Sequence, residues 1–389
     1  MQTNKRPIVC ATPGDAQYFF GYYDKFCENL SGRYLLAHAV PFMDRHPNPG
    51  DSAEIGFVDL HEHFRWHAIA ETRAWNWQQG SMLEWWGYEP ERHIVHNDFR
   101  GGKFVAVIRE IETSQERVLP LPVAAISRDG KQALSLNFAR LIGIRDGYGY
   151  VSAPDPWRSV NVPEDDGIYW MDMMAGDYRL IITLRQLADI EPEASMRDVK
   201  HFVNHIQFST DGQRFLFLHR WLDSHGKGWH TRMLTAAPDG SDVYLLNGHD
   251  MTSHYDWKDG THILAYARRK GIGDRYFLFT DKTQEIKIVG DSVLPRQDGH
   301  CHWSPDRRWF VTDTYPQGEK RERLLLLYNP GTGARADIGA FASLAVTESD
   351  LRCDLHPRWS RDGKSISFDS THEGKRSVYT MDVADIVSE

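Results

Sequence analysis

Cysteine is scarce in this chain. Four stand in 389 residues, Cys10, Cys27, Cys301 and Cys353, with no paired spacing. That excludes a disulfide-stapled scaffold. No apolar run approaches the ~18 residues a membrane-spanning helix needs. The opening MQTNKRPIVCATPGD lacks the apolar stretch of a secretory leader, so a cytoplasmic location is the expectation and no membrane partner is implied. Basic runs are missing and the net charge is −9, which speaks against a nucleic-acid partner. An anionic substrate would therefore need a local positive pocket. Long amphipathic helical patterns are nearly absent, and only RQLADIEPEASMRDV (Arg185 to Val199) reads as holding a helical turn. No G-x-S-x-G nucleophile elbow is present, which removes a peptidase of that kind. Aromatics, by contrast, reach 12 % with thirteen tryptophans. They supply core area, and they also stack on sugar rings.

A short aromatic strand, a polar turn and a second apolar strand recur along the whole chain. The pattern appears at Asn29 to His38, Asn97 to Ile108, Ala125 to Asn137, Phe208 to Trp221, Trp257 to Ala267, Trp303 to Thr314 and Trp359 to Ser370. Asp-Gly between alternating apolar segments is a strong hairpin signal. Each copy is followed by another apolar pair around a turn. Units of four strands and roughly forty to sixty residues describe propeller blades. The chain is therefore expected to be all-β, a single seven-bladed β-propeller. The blades are placed at 29–72, 75–120, 123–186, 203–247, 252–290, 298–340 and 352–385. Two stacked β-sandwiches are the competing architecture, but no linker-like break divides the chain.

Four consecutive units carry a histidine before the turn: HIQFSTDG from His205, HYDWKDG from His254, HCHWSPD from His300 and HPRWSRDG from His356. Three of these histidines stand six residues before the turn aspartate, and His254 stands five before Asp259. The first strand of a blade lines the central channel, so these imidazoles are expected to ring one mouth. Antiparallel return of the second strand brings Arg220 and Arg268 to the same mouth. The loop after Trp221 adds His225, Lys227, His230 and Arg232. A basic, aromatic mouth on an acidic protein suits an acidic oligosaccharide. Each histidine taken alone is equally a hydrogen-bonded strand residue.

Imidazole suits transition metals. His300 and His302 alternate on one strand and share a face. With Asp354 and His356 of RCDLHPRW they form a candidate ligand set for a divalent metal, Mn²⁺ or Zn²⁺. For catalysis, His205 or His254 is the natural base near neutral pH. Arg220 or Arg232 can hold a carboxylate, and Tyr255 can donate to a leaving oxygen if it reaches the mouth. His96 in VHNDF, and Gln78 with Trp77 (beside Gln79 and Trp75) in WNWQQG, are candidate sugar contacts; a structural role fits each equally well.

The segments AWNWQQGSMLEWW (Ala74 to Trp86), TRMLTAAPDGS (Thr231 to Ser241), TSHYDWKDG (Thr252 to Gly260), GHCHWSPD (Gly299 to Asp306) and LHPRWSRDG (Leu355 to Gly363) resemble the oligogalacturonate lyases. The GYYDKF segment (Gly21 to Phe26) and the loop after Trp221 look closer to relatives acting on rhamnose–glucuronate linkages. The resemblance implies a propeller polysaccharide lyase with a divalent metal near the axis. It implies Arg232 as base, His254 in the active site, and His300 and His356 as metal ligands. Asp354 stands where that family carries a histidine. The expected activity is β-elimination on a uronate-containing glycan. Two alternatives stay open: a glycoside hydrolase removing a terminal sugar such as rhamnose from a uronate, which normally needs paired carboxylates, and a non-catalytic propeller scaffold of the TolB type.

Overall fold

The computed structural model describes residues 6–388. Seven four-stranded antiparallel sheets follow one another along the chain as a seven-bladed β-propeller. Blade one runs Gln17–Phe19, Tyr34–Val40, Ala53–Asp59 and Arg65–Thr72. Its innermost strand lies upstream of the expected start at residue 29. Blades two and three start with the short strands Glu84–Trp85 and Ala125–Ile126. Blade four has the longest inner strand, His201–Phe208, followed by Phe215–Leu222, Trp229–Ala236 and Tyr244–Asn247. Thr252–Trp257, His302–Trp303 and Arg358–Trp359 open blades five to seven. The seventh sheet is completed by Val9–Cys10 from the other end of the sequence, with Val9 opposite Thr380 and Cys10 opposite Tyr379. The ring is thus closed by hydrogen bonds between the two ends of the chain.

The turns explain why the sequence repeat is so visible. In S-x-D turns the serine hydroxyl donates to the aspartate two residues on, at 2.7 Å for Ser127–Asp129, Ser209–Asp211 and Ser304–Asp306 and 2.6 Å for Ser360–Asp362. The same hydroxyl accepts the amide that starts the second strand, from Gln132, Arg214, Trp309 and Ser365. Local side-chain bonds of this kind fix the hairpin. Tryptophans then stitch blade to blade. Trp85 Nε1 donates to Cys27 O, Trp257 Nε1 to Gln207 O and Trp359 Nε1 to His302 O, at 2.9, 3.3 and 2.9 Å. Their rings fill the apolar layers between sheets.

The 185–199 segment does hold helical structure. It forms the short helix Leu184–Asp189, capped by a reciprocal Thr183–Gln186 pair, and a separate 3₁₀ turn Ala194–Met196. Among the described residues, no helix is long and apolar enough to cross a membrane.

Candidate functional site

The four histidines come together around the axis because each stands three residues before the aromatic that anchors its inner strand: His205 before Phe208, His254 before Trp257, His300 before Trp303 and His356 before Trp359. The shorter offset at His254 arises in the turn, where Lys258 replaces the two-residue S-x step, and leaves the histidine's own position unchanged. Ring centroids of His254 and His300 are 4.0 Å apart, those of His300 and His356 4.4 Å, and those of His205 and His254 6.3 Å. Local irregularity aims them. The ladder shifts register between Asn204 and Gln207 and between Thr252 and Tyr255. His205 and His356 sit at φ +52° and +42°, a left-handed conformation that costs a non-glycine residue about 1–2 kcal/mol. All four imidazoles are buried. Burial, and then neighbouring cations and imidazoles, push His205, His300 and His356 well below the ordinary histidine range, so they are neutral.

The axis holds a segment that the sequence reading did not place in the site. Gly21, Tyr22 and Tyr23 of GYYDKF run through the ring. Tyr22 Oη lies 2.7 Å from His205 Nδ1, and Tyr23 Oη donates to Tyr255 O at 2.9 Å while accepting from Tyr255 N at 3.0 Å. Gly21 O accepts from His356 Nδ1 at 2.7 Å. Gly21 is required here: its φ is +126°, and a Cβ would meet Gln79 backbone atoms at 2.8 Å.

His300, Asp354 and His356 present ligand atoms within 4.8 Å of one another, the one such group among the described residues. Their surroundings fit a divalent cation. His300 Nδ1 is 2.8 Å from Asp313 Oδ1, and His356 Nδ1 is fixed by Gly21 O. With an acceptor at each Nδ1, both rings carry the proton there and present a bare Nε2. Both Nε2 atoms are buried and lack a partner among the described residues. That outer-shell arrangement orients histidine ligands in metal sites. Asp354 is ionised. Burial opposes this, but Arg352 and Arg323 pull its pKa far below the usual carboxylate range, with contacts of 2.8 Å to each. Beside this group, His254 Nδ1 meets Asp298 Oδ1 at 2.9 Å, and Ser253 Oγ donates to Asp298 Oδ2 at 2.5 Å.

Above His205 the mouth is cationic. Among the described residues, Arg220 hydrogen bonds only to neutral groups, Thr231, Asn204 and Thr252 O. Arg145 stacks 3.9 Å over Tyr148 and 4.8 Å from the Trp229 ring, and Arg220 lies 5.7 Å from the same indole. The nearest acid to Arg145 is Asp350 at 3.9 Å, which Arg352 also claims at 3.3 Å. Burial, and next the charge of Arg145, push the Arg220 guanidinium down to about 9.

Several expected residues stand elsewhere. Arg232 lies opposite His219 in the ladder, on the sheet face away from Arg220. It is buried, donating to the carbonyls of Leu187, Ile190 and Glu191 and to His219 Nδ1. That is a structural cation, and the reading of Arg232 as a base is corrected. Tyr255 does not reach the mouth; its hydroxyl donates to His205 O below the ring. Trp77 is buried against Phe19 and Trp75, with Nε1 on Arg45 O. Gln78 is buried and its Nε2 donates to the carbonyls of Asp350 and Arg352, so it positions that loop. His96 is fully buried on the second strand of blade two, its Nδ1 on Asn97 O. His230 pairs with Asp250 at 2.8 Å on the rim, while its neighbour Trp229 faces the arginines. His302 shares a face with His300 but stands two residues further along, roughly 6.5 Å at strand rise. That is too far to join the ligand group, and it lines a different cavity.

The chain superposes on solved propellers. Oligogalacturonate lyase from Vibrio parahaemolyticus matches with a TM-score of 0.69 at 15 % identity, over 98 % of this chain and 94 % of that one. An oligogalacturonate lyase in complex with manganese matches with a TM-score of 0.72 at 15 % identity, over 100 % and 96 %. The β-propeller domain of the trilobed protease from Pyrococcus furiosus, described as having an open velcro topology, gives 0.54 at 10 % identity over 94 % and 93 %. No family model and no curated protein matches the sequence. At these identities the likeness is one of fold.

Proposed function

We propose that this chain is a lyase that cleaves a uronate-containing oligosaccharide by β-elimination at the cationic mouth. The observation that carries the reading is the Arg145–Arg220 pair, buried beside His205: Arg220 has no carboxylate partner among the described residues, and Arg145 has only Asp350 at 3.9 Å, shared with Arg352. A desolvated guanidinium without a counter-charge is costly. A uronate carboxylate restores that balance and gains bidentate hydrogen bonds. Trp229 then offers its ring to the sugar face. Holding the carboxylate between two cations acidifies the adjacent C5 proton, because charge developing on the carboxylate oxygens is met by fixed donors.

His254 is the base this geometry favours. Asp298 accepts from Nδ1 and leaves the Nε2 lone pair free to take the C5 proton. The C5–H electrons form the C4=C5 double bond, the C4–O bond breaks, and the departing oxygen takes a proton from water. His300, Asp354 and His356 are the residues that would hold Mn²⁺ or Zn²⁺, a cation that supplies Lewis-acid neutralisation of the carboxylate when bound. The superposition on an oligogalacturonate lyase in complex with manganese supports both parts of this reading.

Hydrolysis is less favoured because the carboxylates near the ring are already engaged. Asp313 holds His300, Asp354 holds two arginines, Asp369 holds Arg358 and Asp298 holds His254. The test is an absorbance assay on oligogalacturonates and rhamnose–glucuronate oligosaccharides, with and without a chelator. A lyase releases an unsaturated, ultraviolet-absorbing uronate. Release of saturated sugars alone, or no turnover of any uronate substrate, ends the reading.

A further inference from the structure

Tyr22 and Tyr23 pack against His205, His300 and His356, and the residues that follow them, Asp24 to Phe26, help line a second cavity that none of those histidines enters. Its volume is about 340 Å³, at the lower end of the ~300–1,000 Å³ of small-molecule sites. Six blades contribute inner-strand or turn residues to it, and Asp24, Lys25 and Phe26 form part of its wall. The lining alternates in sign. Lys25 is buried against Asp24 at 2.8 Å, and Arg307 lies 3.7 Å from Asp256. Arg361 stacks 4.6 Å over Phe26 while donating to Glu28 O. Glu84 is the unspent acceptor. The influences on it are burial and the charges of Lys25, Asp24 and Arg361, with no hydrogen bond among them, and burial raises it to about 7. His302, itself more than nine-tenths buried, and Gln207 also line the cavity; the enclosed His302 Nδ1 and Gln207 Oε1 have no partner among the described residues.

This chemistry narrows the occupant. Lys25 and Arg307 already pair with acids, and the buried Arg361 sits in the field of Glu84 and Glu28, so a simple anion has little to gain there. The acids do not converge closely enough to hold a metal, since the His300 group is the one such cluster among the described residues. What remains is a set of fixed donors and acceptors beside aromatic and guanidinium planes. Vicinal hydroxyls, each donating to a carboxylate or imidazole and accepting from an ammonium or guanidinium, fit that set, and the ring face of a sugar fits the planes. We propose that the cavity lined by Asp24 to Phe26 is a second binding site that takes one neutral pyranose unit. The site is separate from the uronate mouth and does not rest on the elimination chemistry.

The test uses the whole chain and saturation-transfer NMR with methyl α-L-rhamnopyranoside, methyl α-D-galactopyranoside and methyl β-D-glucopyranoside, with methyl α-D-galacturonoside as the charged counterpart. At least one neutral glycoside is expected to bind. Its affinity should fall at least tenfold in Glu84→Gln and in Arg361→Met, and hold within twofold in His356→Ala. Arg361→Lys, which keeps the charge and loses the planar fork, should weaken binding even if the methionine variant does not fold. The proposal is overturned if no neutral glycoside binds, if binding survives the cavity substitutions, if His356→Ala abolishes it, or if only the galacturonoside is held there.

Discussion

Two arginines twelve residues apart illustrate how chemistry divides on one sheet. Arg232 is saturated by carbonyls, and Arg220 is left short of an acid. Arg232→Met should therefore cost about 2–4 kcal/mol, the range for stranding buried polar partners, while the folded protein keeps its uronate turnover within about threefold. Arg220→Met should melt close to the parent and lose at least about 10²-fold in kcat/KM, the scale for removing one preorganised charge partner. Thermal melts and initial rates on the same preparations check both; equal loss of turnover in the two variants would undo the distinction. The same scale shows why some site residues escaped the sequence reading. His230 was legible as a basic loop residue, but strand alternation turns it to the rim and brings Trp229 to the mouth. A shift of one residue reverses the face, and a single sequence does not fix that register. Asp298, Arg145 and Tyr148 carry no motif at all. They reach the site from loops whose paths depend on the closed ring.

At the scale of elements, the inner strands were readable and the axial segment was not. The S-x-D turns and the aromatic anchors are local, so the blades and the four histidines follow from short patterns. GYYDKF is irregular, and its place at the axis is set by contacts far away in sequence, to His205 and His356, and by the close approach of Gly21 to Gln79. Gly21→Ala probes it. A Cβ at 2.8 Å from the Gln79 backbone, at φ +126°, should destabilise by about 2 kcal/mol or more. It should also weaken Mn²⁺ binding in calorimetry at least fivefold, because Gly21 O fixes the His356 ring. Unchanged unfolding and unchanged metal affinity would show that the segment is a passive filler. Chelation or His356→Ala should remove the calorimetric Mn²⁺ signal altogether, and a persisting signal would move the cation elsewhere.

For the molecule as a whole, buried imidazoles dominate the response to acid. His38, His96, His201, His205, His219, His300, His302 and His356 all have pKa values lowered by burial, to about 3 for His38 and His302 and about 4 for His96 and His201. Below an unfolded value of about 6.5 the unfolded chain takes up protons that the fold refuses, so stability falls as pH falls. Six carboxyls oppose this: Glu28 and Glu84 are raised to about 7 and Asp256 to about 6, and burial also raises Asp166, Asp313 and Asp369. The first three bind protons in the fold over the same window, but the histidines outnumber all six. Denaturant midpoints should therefore drop steeply between pH 6.5 and 5, by up to about 1.4 kcal/mol per pH unit for each uncompensated histidine. A flat profile would mean that the rings are charged in the fold.

The pairing of Val9–Cys10 with Ser377–Asp382 also bears on biosynthesis. A ribosome adding about 5–20 residues per second needs roughly 20–75 s to make the stretch between those partners. Through that interval the early strand has no mate and the nascent arc keeps an open edge, a condition that invites mispairing with other chains. The seventh blade is thus the one that latches the circle, by capturing a segment made well before it.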